Sequence, residues 1–439
     1  LVTVLAFIIG VVVLVVGLAV SIALHEVGHL APAKAFGVRV GQYMIGFGPT
    51  VFSRRVGETE YGFKLLPLGG YISMAGMYPP SEAAEKAAAE GRPPRRRRLF
   101  ETMIQDARSV NDETLQGDGA ERAFYRLPVY KRVIIMLGGP AMNLILAIIL
   151  FAIMFSGIGV QTATTTIASV NECVLPAGTS QTSCTAGDPA SPAAAAGIRP
   201  GDVIVSVDGT AVDTFAEASA IIQKTPDATI PIVVERGGAR ETLQVTPVLA
   251  TREVAAADGT TKTAEVGFVG MSATVGFVPQ PIWEGPQAAL EQTGRVVGII
   301  WQLPARVYQT AVDTFTGAGR DPNGPLSVVG AGRLAGEVAA TEAPILNRVS
   351  GMLALLGSLN IALFVFNLVP LLPLDGGHIV VALWDGLKRV WSRLTGRRAP
   401  RPVDATKLVP VTYIVVIALV LMGGTLILAD IVNPVQLFG

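Results

Sequence analysis

The chain begins with an apolar run without any charge, Leu1–Leu24, which leads directly into the motif HEVGH at positions 25–29. The run is long enough to cross a bilayer, since a membrane helix takes about 20 apolar residues. It lacks a basic start and a small-residue cleavage site, so we expect a retained span rather than a signal peptide. Two imidazoles and a carboxylate at the end of a span are costly, and they therefore require a functional reason.

The spacing within HEVGH supplies such a reason. On an α-helix, His25 and His29 share one face and could bind one zinc ion, while Glu26 acts as a general base towards water. The chain contains only three histidines, so a chance occurrence of this motif is improbable. A catalytic zinc site takes three protein ligands. We therefore expect a third ligand from elsewhere in the chain.

Asp375 is the candidate third ligand, because it is the first charge after a second apolar run, which ends in NLVPLLPL. A carboxylate at the end of a span is as costly as the HEVGH motif. The glycines Gly376 and Gly377 would allow a close approach of the backbone. The alternative is that Asp375 only caps a helix over Gly376–Leu387. For the third histidine, His378, a supporting or structural role ranks above that of a fourth ligand.

Four charge-free stretches predict four membrane spans, since each exceeds the roughly 18 residues required. They are Leu1–Leu24, Val133–Asn171, Val349–Leu374 and Leu408–Ala429. Lysine and arginine number 16 in Ala31–Arg132 and 7 in the short Asp385–Lys407, but only 11 in the much longer Gln161–Arg348. The positive-inside rule places the first two segments in the cytoplasm and the third outside. The site formed by HEVGH and Asp375 then lies towards the cytoplasm.

The cytoplasmic segment after the first span predicts a membrane-associated β-hairpin over 41–76. Alternating runs at Thr50–Arg54 and Glu60–Leu65 flank a turn, and a further strand is expected at Gly70–Met74. An ordinary surface hairpin is the alternative. The polar stretch that follows, 79–120, predicts a partly disordered loop. Its four consecutive arginines indicate a topology signal or an anionic-lipid contact rather than a nucleic-acid site.

The outer segment predicts a soluble α+β domain over 164–248, with strands such as Val203–Val207 and a short helix at Phe215–Lys224. Thr251–Gly270 is expected to be a polar loop that closes with a strand. Amphipathic helices over 281–347 would lie on the outer membrane surface or pack against the soluble domain. The only two cysteines also lie in the outer segment, where compartment permits a disulfide. The candidate pair is Cys173 and Cys184.

Several motifs together resemble the site-2 protease family, and most closely its bacterial RseP-type branch, which cleaves anti-sigma factors. They are HEVGH in the first span, LDGGH in a later one, GGPAMN at 138–143, the segments 123–143 and 325–335, and an outer β-rich insert. AGIRPGDVIVSVDG at 196–209 is similar to the PDZ modules of bacterial proteases. The resemblance implies one zinc ion per chain, with Glu26 as the base. The ligands it implies are His25, His29 and Asp375.

The resemblance further implies that the substrate is a transmembrane helix of a single-span protein, such as an anti-sigma factor, cut after a first extracytoplasmic cleavage. Asn367 and Asn143 would contact or orient its backbone, although interhelical hydrogen bonding is an alternative for each. A helix must unwind before cleavage, and the freed backbone groups need partners in lipid. Strand addition could supply them. The residues expected at that strand edge are Gly69, Gly70, Tyr71, Ile72 and Met74.

The sequence thus predicts a mainly α-helical protein of a bacterial cell membrane, with four transmembrane helices, a membrane-associated β-hairpin and one extracytoplasmic PDZ-like domain. The predicted segments are the first span (1–30), the cytoplasmic segment (31–132), the second span (133–160), the PDZ-like domain (164–248), the interfacial helices (281–347), the third span (349–384), the basic cytoplasmic loop (385–407) and the fourth span (408–430). A zinc transporter or metal receptor is one alternative, but the other spans carry no relay of ionisable groups. An inactive scaffold is another, but it would not need Glu26.

Overall fold

The computed structural model describes residues 2–79, 114–115, 120–174, 183–185, 188–255, 261–322, 324–398, 403 and 408–435. Most of the predicted polar stretch 79–120, including its four consecutive arginines, lies outside the described residues, as does part of the basic loop 385–407. The chain divides into two compact units. The first comprises Leu1–Met154 and Ile282–Gly439, and the second comprises Phe155–Pro281.

The described chain contains both helices and strands, and it ends in five successive helices. The helices are α1 (Val2–Ala35), α2 (Val129–Ala152), α3 (Pro192–Ala195), α4 (Phe215–Gln223), α5 (Glu284–Thr316), α6 (Val328–Ala340), α7 (Ile345–Asn367), α8 (Asp375–Leu394) and α9 (Val409–Val432). The strands are β1 (Val40–Val56), β2 (Thr59–Met74), β3 (Val160–Val170), β4 (Val203–Val207), β5 (Thr210–Ala211), β6 (Ile230–Arg236), β7 (Ala239–Val245), β8 (Val248–Ala255), β9 (Thr261–Phe268) and β10 (Met271–Val278).

Four helices of the described chain are long and apolar enough to cross a membrane: α1, α2 with its continuation to Ile158, α7 and α9. Four such helices fit the expected multi-pass membrane protein. The segment 349–384, predicted as a third span, differs in detail. It divides into α7 and the separate helix α8, because Pro370 and Pro373 lack the N–H group that a continuous helix needs and restrict the residues before them.

Helices α1 and α2 pack closely through glycines. A Cβ atom on Gly28 would clash with the backbone oxygen of Gly138, and one on Gly139 would clash with the ring of His29. Small residues let membrane helices approach until backbones touch. The GGP sequence at 138–140 therefore brings α2 directly against the histidine face of α1.

Strand β2 runs without interruption to Met74, so the strand predicted separately at Gly70–Met74 is the end of the hairpin's second strand. Residues 42–45 of β1 have partners on two sides, one in 60–63 and the other in 70–73. In the described part of the chain, the segment 70–73 has no second strand partner and forms an edge of this sheet. Gly46 has a positive φ of 94°, a conformation that glycine adopts readily. A Cβ atom at this position would also clash with the backbone oxygen of Leu66.

The second unit is an α+β domain around one sheet, with the strand order β10-β3-β4-β6-β7 and β5 beside β4. It extends beyond the predicted 164–248, because β3 pairs with β10 and so adds residues on both sides. The strand expected at the end of Thr251–Gly270 is present as β9. The polar loop expected before it is wrong at residues 251–255, which belong to β8 and pair with β9 in a hairpin. β-branched residues on these strands, such as Thr251, Thr261 and Thr263, suit a strand although they are polar.

The core of the second unit is built mainly from aliphatic residues of β4, β6 and β7, with Ile167 of β3. The largest are fully buried: Ile204, Val207, Ile232, Val234 and Val245. Beside this core, Arg236 donates to both carboxylate oxygens of Asp202, at 2.7 Å each. In the same unit, Cys173 and Cys184 form a disulfide.

Candidate metal centre

Three potential metal ligands converge from two helices of the first unit. His25 and His29 lie one turn apart near the end of α1, and Asp375 is the first residue of α8. The Nε2 atoms of the histidines are 3.2 Å apart, and Asp375 Oδ2 lies 3.4 Å from that of His25 and 3.3 Å from that of His29. In the described chain, these residues form the single cluster of histidine, cysteine and carboxylate groups that could hold a metal ion.

Hydrogen bonds to the Nδ1 atoms determine the tautomer of each histidine. His29 Nδ1 lies 2.7 Å from the backbone oxygen of Ile135, and His25 Nδ1 lies 3.2 Å from Asn143 Oδ1. A carbonyl oxygen only accepts, so the proton of the His29 ring must be on Nδ1. The same tautomer in His25 lets Asn143 accept. Both Nε2 lone pairs then face the cluster.

The cluster fits a tetrahedral zinc ion. Three ligands at about 2.0–2.1 Å from such an ion lie roughly 3.3 Å from one another, which matches the three separations in this structure. Asp375 Oδ2 is buried and has no hydrogen-bond partner of its own. Two lone pairs and a carboxylate oxygen without a proton between them would repel one another, so the arrangement calls for a cation.

Burial and neighbouring groups shift the pKa values of ionisable residues in α8 and beside it. Burial raises the pKa of the Asp375 carboxyl. When His25 and His29 carry protons on Nε2 in place of a metal ion, their hydrogen bonds and positive charge outweigh burial and hold that pKa well below its usual range. Burial lowers the pKa of His378, whose ring lies 6.1 Å from that of Tyr78, and raises the pKa of Tyr78. Near neutral pH, Asp375 is therefore an anion, and both His378 and Tyr78 are neutral.

The cluster opens onto a mostly apolar cavity of about 650 Å³ in the first unit. Apolar residues of α1, α6 and α7 form most of its wall, for example Leu18, Ala331 and Leu363. Six of the residues singled out in the sequence also line it: His25, Glu26, Gly69, Gly70, Asn143 and Asn367. The Glu26 carboxylate, next to the metal cluster, thus faces a mostly apolar space.

Three other residues singled out in the sequence do not line this cavity. Tyr71 donates its hydroxyl to Gln42 Oε1 at 3.2 Å, Ile72 packs against an apolar cluster of α1 and the hairpin, and Met74 is buried. Their backbones nevertheless belong to the sheet edge. Sequence reasoning also missed the N-terminus of α6, where Ser327 and Val328 line the cavity. The signal available was Ser327 itself, which caps α6 by accepting from Val329 N and Gly330 N.

Comparison with known proteins agrees with this geometry. The sequence model of peptidase family M50 matches residues 13–402. Over 444 residues, the chain is 34% identical to the zinc metalloprotease Rip1 of Mycobacterium tuberculosis (strain H37Rv), with 98% of this chain and 99% of the relative covered. It is 34% identical to Rip1 of Mycolicibacterium smegmatis, with the same coverage, and 29% identical to the metalloprotease MmpA of Caulobacter vibrioides over 87% of this chain and 88% of the relative.

The chain belongs to peptidase family M50. The expectations of a site-2 protease, of a metalloprotease and of zinc as its cofactor are therefore confirmed. Together with the four apolar helices, membership makes the chain a multi-pass membrane zinc metalloprotease.

Proposed function

We propose that this protein is an intramembrane endopeptidase that cuts the transmembrane segment of single-span membrane proteins. The observation that carries the proposal is the position of the metal cluster. It lies on a helix apolar enough to span the membrane and faces an apolar cavity bounded by two such helices, α1 and α7. An apolar cavity of this kind suits an apolar peptide segment better than a polar chain.

In this proposal His25, His29 and Asp375 hold the zinc ion. When bound, zinc supplies Lewis-acid chemistry, because it polarises the scissile carbonyl and lowers the pKa of water. Asn143 and the Ile135 carbonyl orient the two imidazoles, and such supporting contacts typically matter 10–100-fold for metal affinity. Glu26 acts as the general base, taking a proton from the attacking water and passing it to the leaving amine.

Two asparagines are proposed to bind the substrate backbone. Both Asn143 and Asn367 line the cavity, and Asn143 Nδ2 is buried without a hydrogen-bond partner. Since Asn143 Oδ1 accepts from His25, its amide N–H groups remain available for a carbonyl of the substrate. An unsatisfied buried donor costs about 1–3 kcal/mol, which a bound peptide would relieve. Asn367, at the end of α7, can serve the same purpose.

Unwinding of the substrate is proposed to occur by strand addition at the edge of β2. Gly69 and Gly70 line the cavity, and Gly70 is so close to α1 that a Cβ atom would come within 3.0 Å of Glu26 Cγ. A strand added at this edge would satisfy backbone groups that lipid leaves unpaired. It would also hold an extended peptide beside the proposed base.

We further propose that the substrates are anti-sigma factors in a bacterial cell membrane, cut after a first extracytoplasmic cleavage. The metal cluster would lie towards the cytoplasm, and the Phe155–Pro281 unit would lie outside and act as a PDZ-like filter for trimmed substrates. Charge bias supports this orientation, since the basic loops border HEVGH and α8.

The test is co-expression with candidate single-span anti-sigma factors in trimmed form. Glu26→Gln should retain zinc and lose the cleaved product, because an amide cannot accept the proton. Glu342→Gln, which removes the same charge from an exposed position near the end of α6, should cleave as the wild type does. Cleavage by Glu26→Gln at the wild-type rate would contradict the proposal.

A further inference from the structure

Helix α8 has a buried face that fixes it to the rest of the first unit. Asp385 on this face accepts from Arg132 Nη1 of α2 at 3.0 Å and from Val403 N at 2.7 Å. Arg132 and Asp385 are both buried, so this ion pair anchors the middle of α8 to the start of α2. The opposite face of α8 therefore points away from α2.

That opposite face is a stripe of large apolar side chains. Its members recur every three or four residues, the period of one helix face, and each is at least 47% exposed: Val380, Trp384, Leu387, Trp391 and Leu394. A continuous exposed apolar stripe of this size marks an interaction surface rather than ordinary scatter. Tryptophan at its centre is typical of a membrane interface, where one end of the ring is apolar and the other is wet.

The end of α8 turns back and brings positive charge beside this stripe. Gly396, with a φ of 67°, ends the helix, and Arg397 N donates to Ser392 O at 2.9 Å. Arg397 and Arg398 are exposed as a result. They line a groove of about 540 Å³ together with Trp384, Leu387, Lys388, Trp391 and Ser392.

We propose that this groove binds an anionic phospholipid of the surrounding bilayer. Arg397 and Arg398 would contact the phosphate, while Trp384, Leu387 and Trp391 would lie against the upper part of the acyl chains. A basic amphipathic helix with tryptophan on its apolar face has the composition of an interfacial helix, and each basic residue near an anionic membrane surface adds to binding.

The position of α8 along the chain identifies the occupant as lipid. One apolar span, α7, ends at Asn367 just before α8, and another, α9, begins at Val409 shortly after it. Both ends of the segment are thus tied to the bilayer. A soluble anion would use the arginines but leave the apolar stripe exposed, whereas a phospholipid satisfies both.

Lipid binding at this groove has a consequence for the metal cluster, because Asp375 is the first residue of the same helix. A lipid held at the end of α8 would restrict the helix that positions Asp375. This consequence rests on the proposed zinc role of Asp375, whereas lipid binding itself does not. The test below measures lipid contact without any measurement of cleavage, so the two can fail separately.

The test uses the full chain with Trp283→Phe and Trp301→Phe, which leaves Trp384 and Trp391 as the only tryptophans. The protein is reconstituted in phosphatidylcholine vesicles that contain a fixed fraction of brominated phosphatidylglycerol or, in matched vesicles, of brominated phosphatidylcholine. Bromine quenches tryptophan fluorescence at short range. We expect stronger quenching by the brominated phosphatidylglycerol, and we expect salt to weaken this preference.

Variants of the arginines distinguish a specific lipid-binding site from general electrostatic attraction between the protein and an anionic membrane. Arg397→Gln with Arg398→Gln should lower the preference for phosphatidylglycerol by about an order of magnitude, and replacement of both by lysine should restore most of it. Arg54→Gln with Arg55→Gln, which removes equal charge from exposed positions on β1, should leave the preference unchanged. Equal quenching by the two lipids, an unchanged preference in the glutamine variant, or an equal loss in the β1 control would each overturn the proposal.

Discussion

Asn143 Oδ1 lies 3.2 Å from His25 Nδ1, so a residue of α2 orients a histidine of α1 whose other nitrogen faces the metal cluster. Asn143→Ala should therefore lower zinc affinity roughly 10–100-fold while the fold remains. The measurement is a chelator competition on the purified full chain. Asn360→Ala is the matched control: Asn360 is buried in α7 and donates to Ser21 Oγ and to the backbone oxygen of Leu356, neither of which belongs to a histidine. Its zinc affinity should be unchanged, and equal zinc affinity for Asn143→Ala and the wild type would refute this role.

The packing of α2 against α1 makes a second prediction. Gly139→Ala places a Cβ atom against the ring of His29, which cannot move away because its Nδ1 is held by the Ile135 carbonyl. We expect loss of bound zinc, measured by elemental analysis of the purified protein. Gly332→Ala on α6 adds the same methyl group where no other atom lies within 4 Å, and it should bind zinc normally. Full zinc content in Gly139→Ala would contradict the packing described here.

Acid should weaken the second unit through Asp202. Two bonds from Arg236 lower the pKa of this carboxyl below its ordinary value of 3.8. A group whose pKa is lower in the folded state stabilises the fold above the unfolded pKa and loses that contribution as pH falls through the folded one. The stabilisation by Asp202 is therefore complete near neutral pH and declines below about pH 4.

Asp202→Asn should accordingly cost about 1–3 kcal/mol near neutral pH and reduce the loss of stability on acidification. Hydrogen exchange of β4 and β6 peptides in the full chain measures both effects. Asp213→Asn changes an exposed aspartate of the same unit and should reproduce the wild-type pH profile. If the second unit of Asp202→Asn still loses stability steeply on acidification, another group is responsible for the effect.

The edge of β2 makes a prediction for substrate binding. Proline at Ile72 removes a backbone N–H from the edge segment and should abolish cleavage while zinc stays bound. Val51→Pro changes an exposed position on the far part of β1 and should cleave normally. Parallel assays of cleavage and zinc content separate the two roles. Cleavage by Ile72→Pro at the wild-type rate would exclude strand addition at this edge.

The metal residues could be found from the sequence because their cost in a membrane singles them out. HEVGH and Asp375 each follow an apolar run, and no packing argument accounts for charge there. The contact between Asn143 and His25 could not be found in this way. It depends on how closely α1 and α2 approach, which the glycines at 28, 138 and 139 determine only once both helices are in place.

Two other features depend on distant parts of the chain. The sequence predicts a separate strand at Gly70–Met74, yet β2 continues through it because residues 70–73 pair with β1. The contribution of α6 to the cavity arises from packing against α1, with Ala331 and Ala335 against Leu14. Ser327 indicates in the sequence where α6 begins, but not what it packs against. Local pattern thus located the reactive groups, whereas tertiary packing decided what surrounds them.

The most direct test of the central claim is to map the bond that is cut. The purified full chain and its Glu26→Gln variant would be reconstituted in vesicles with a trimmed single-span anti-sigma factor, and the products would be identified by mass spectrometry. We predict a new terminus inside the apolar segment of the substrate, present with the wild type and absent with Glu26→Gln. A cut confined to the soluble flanks, or an intramembrane cut that Glu26→Gln also produces, would contradict the account.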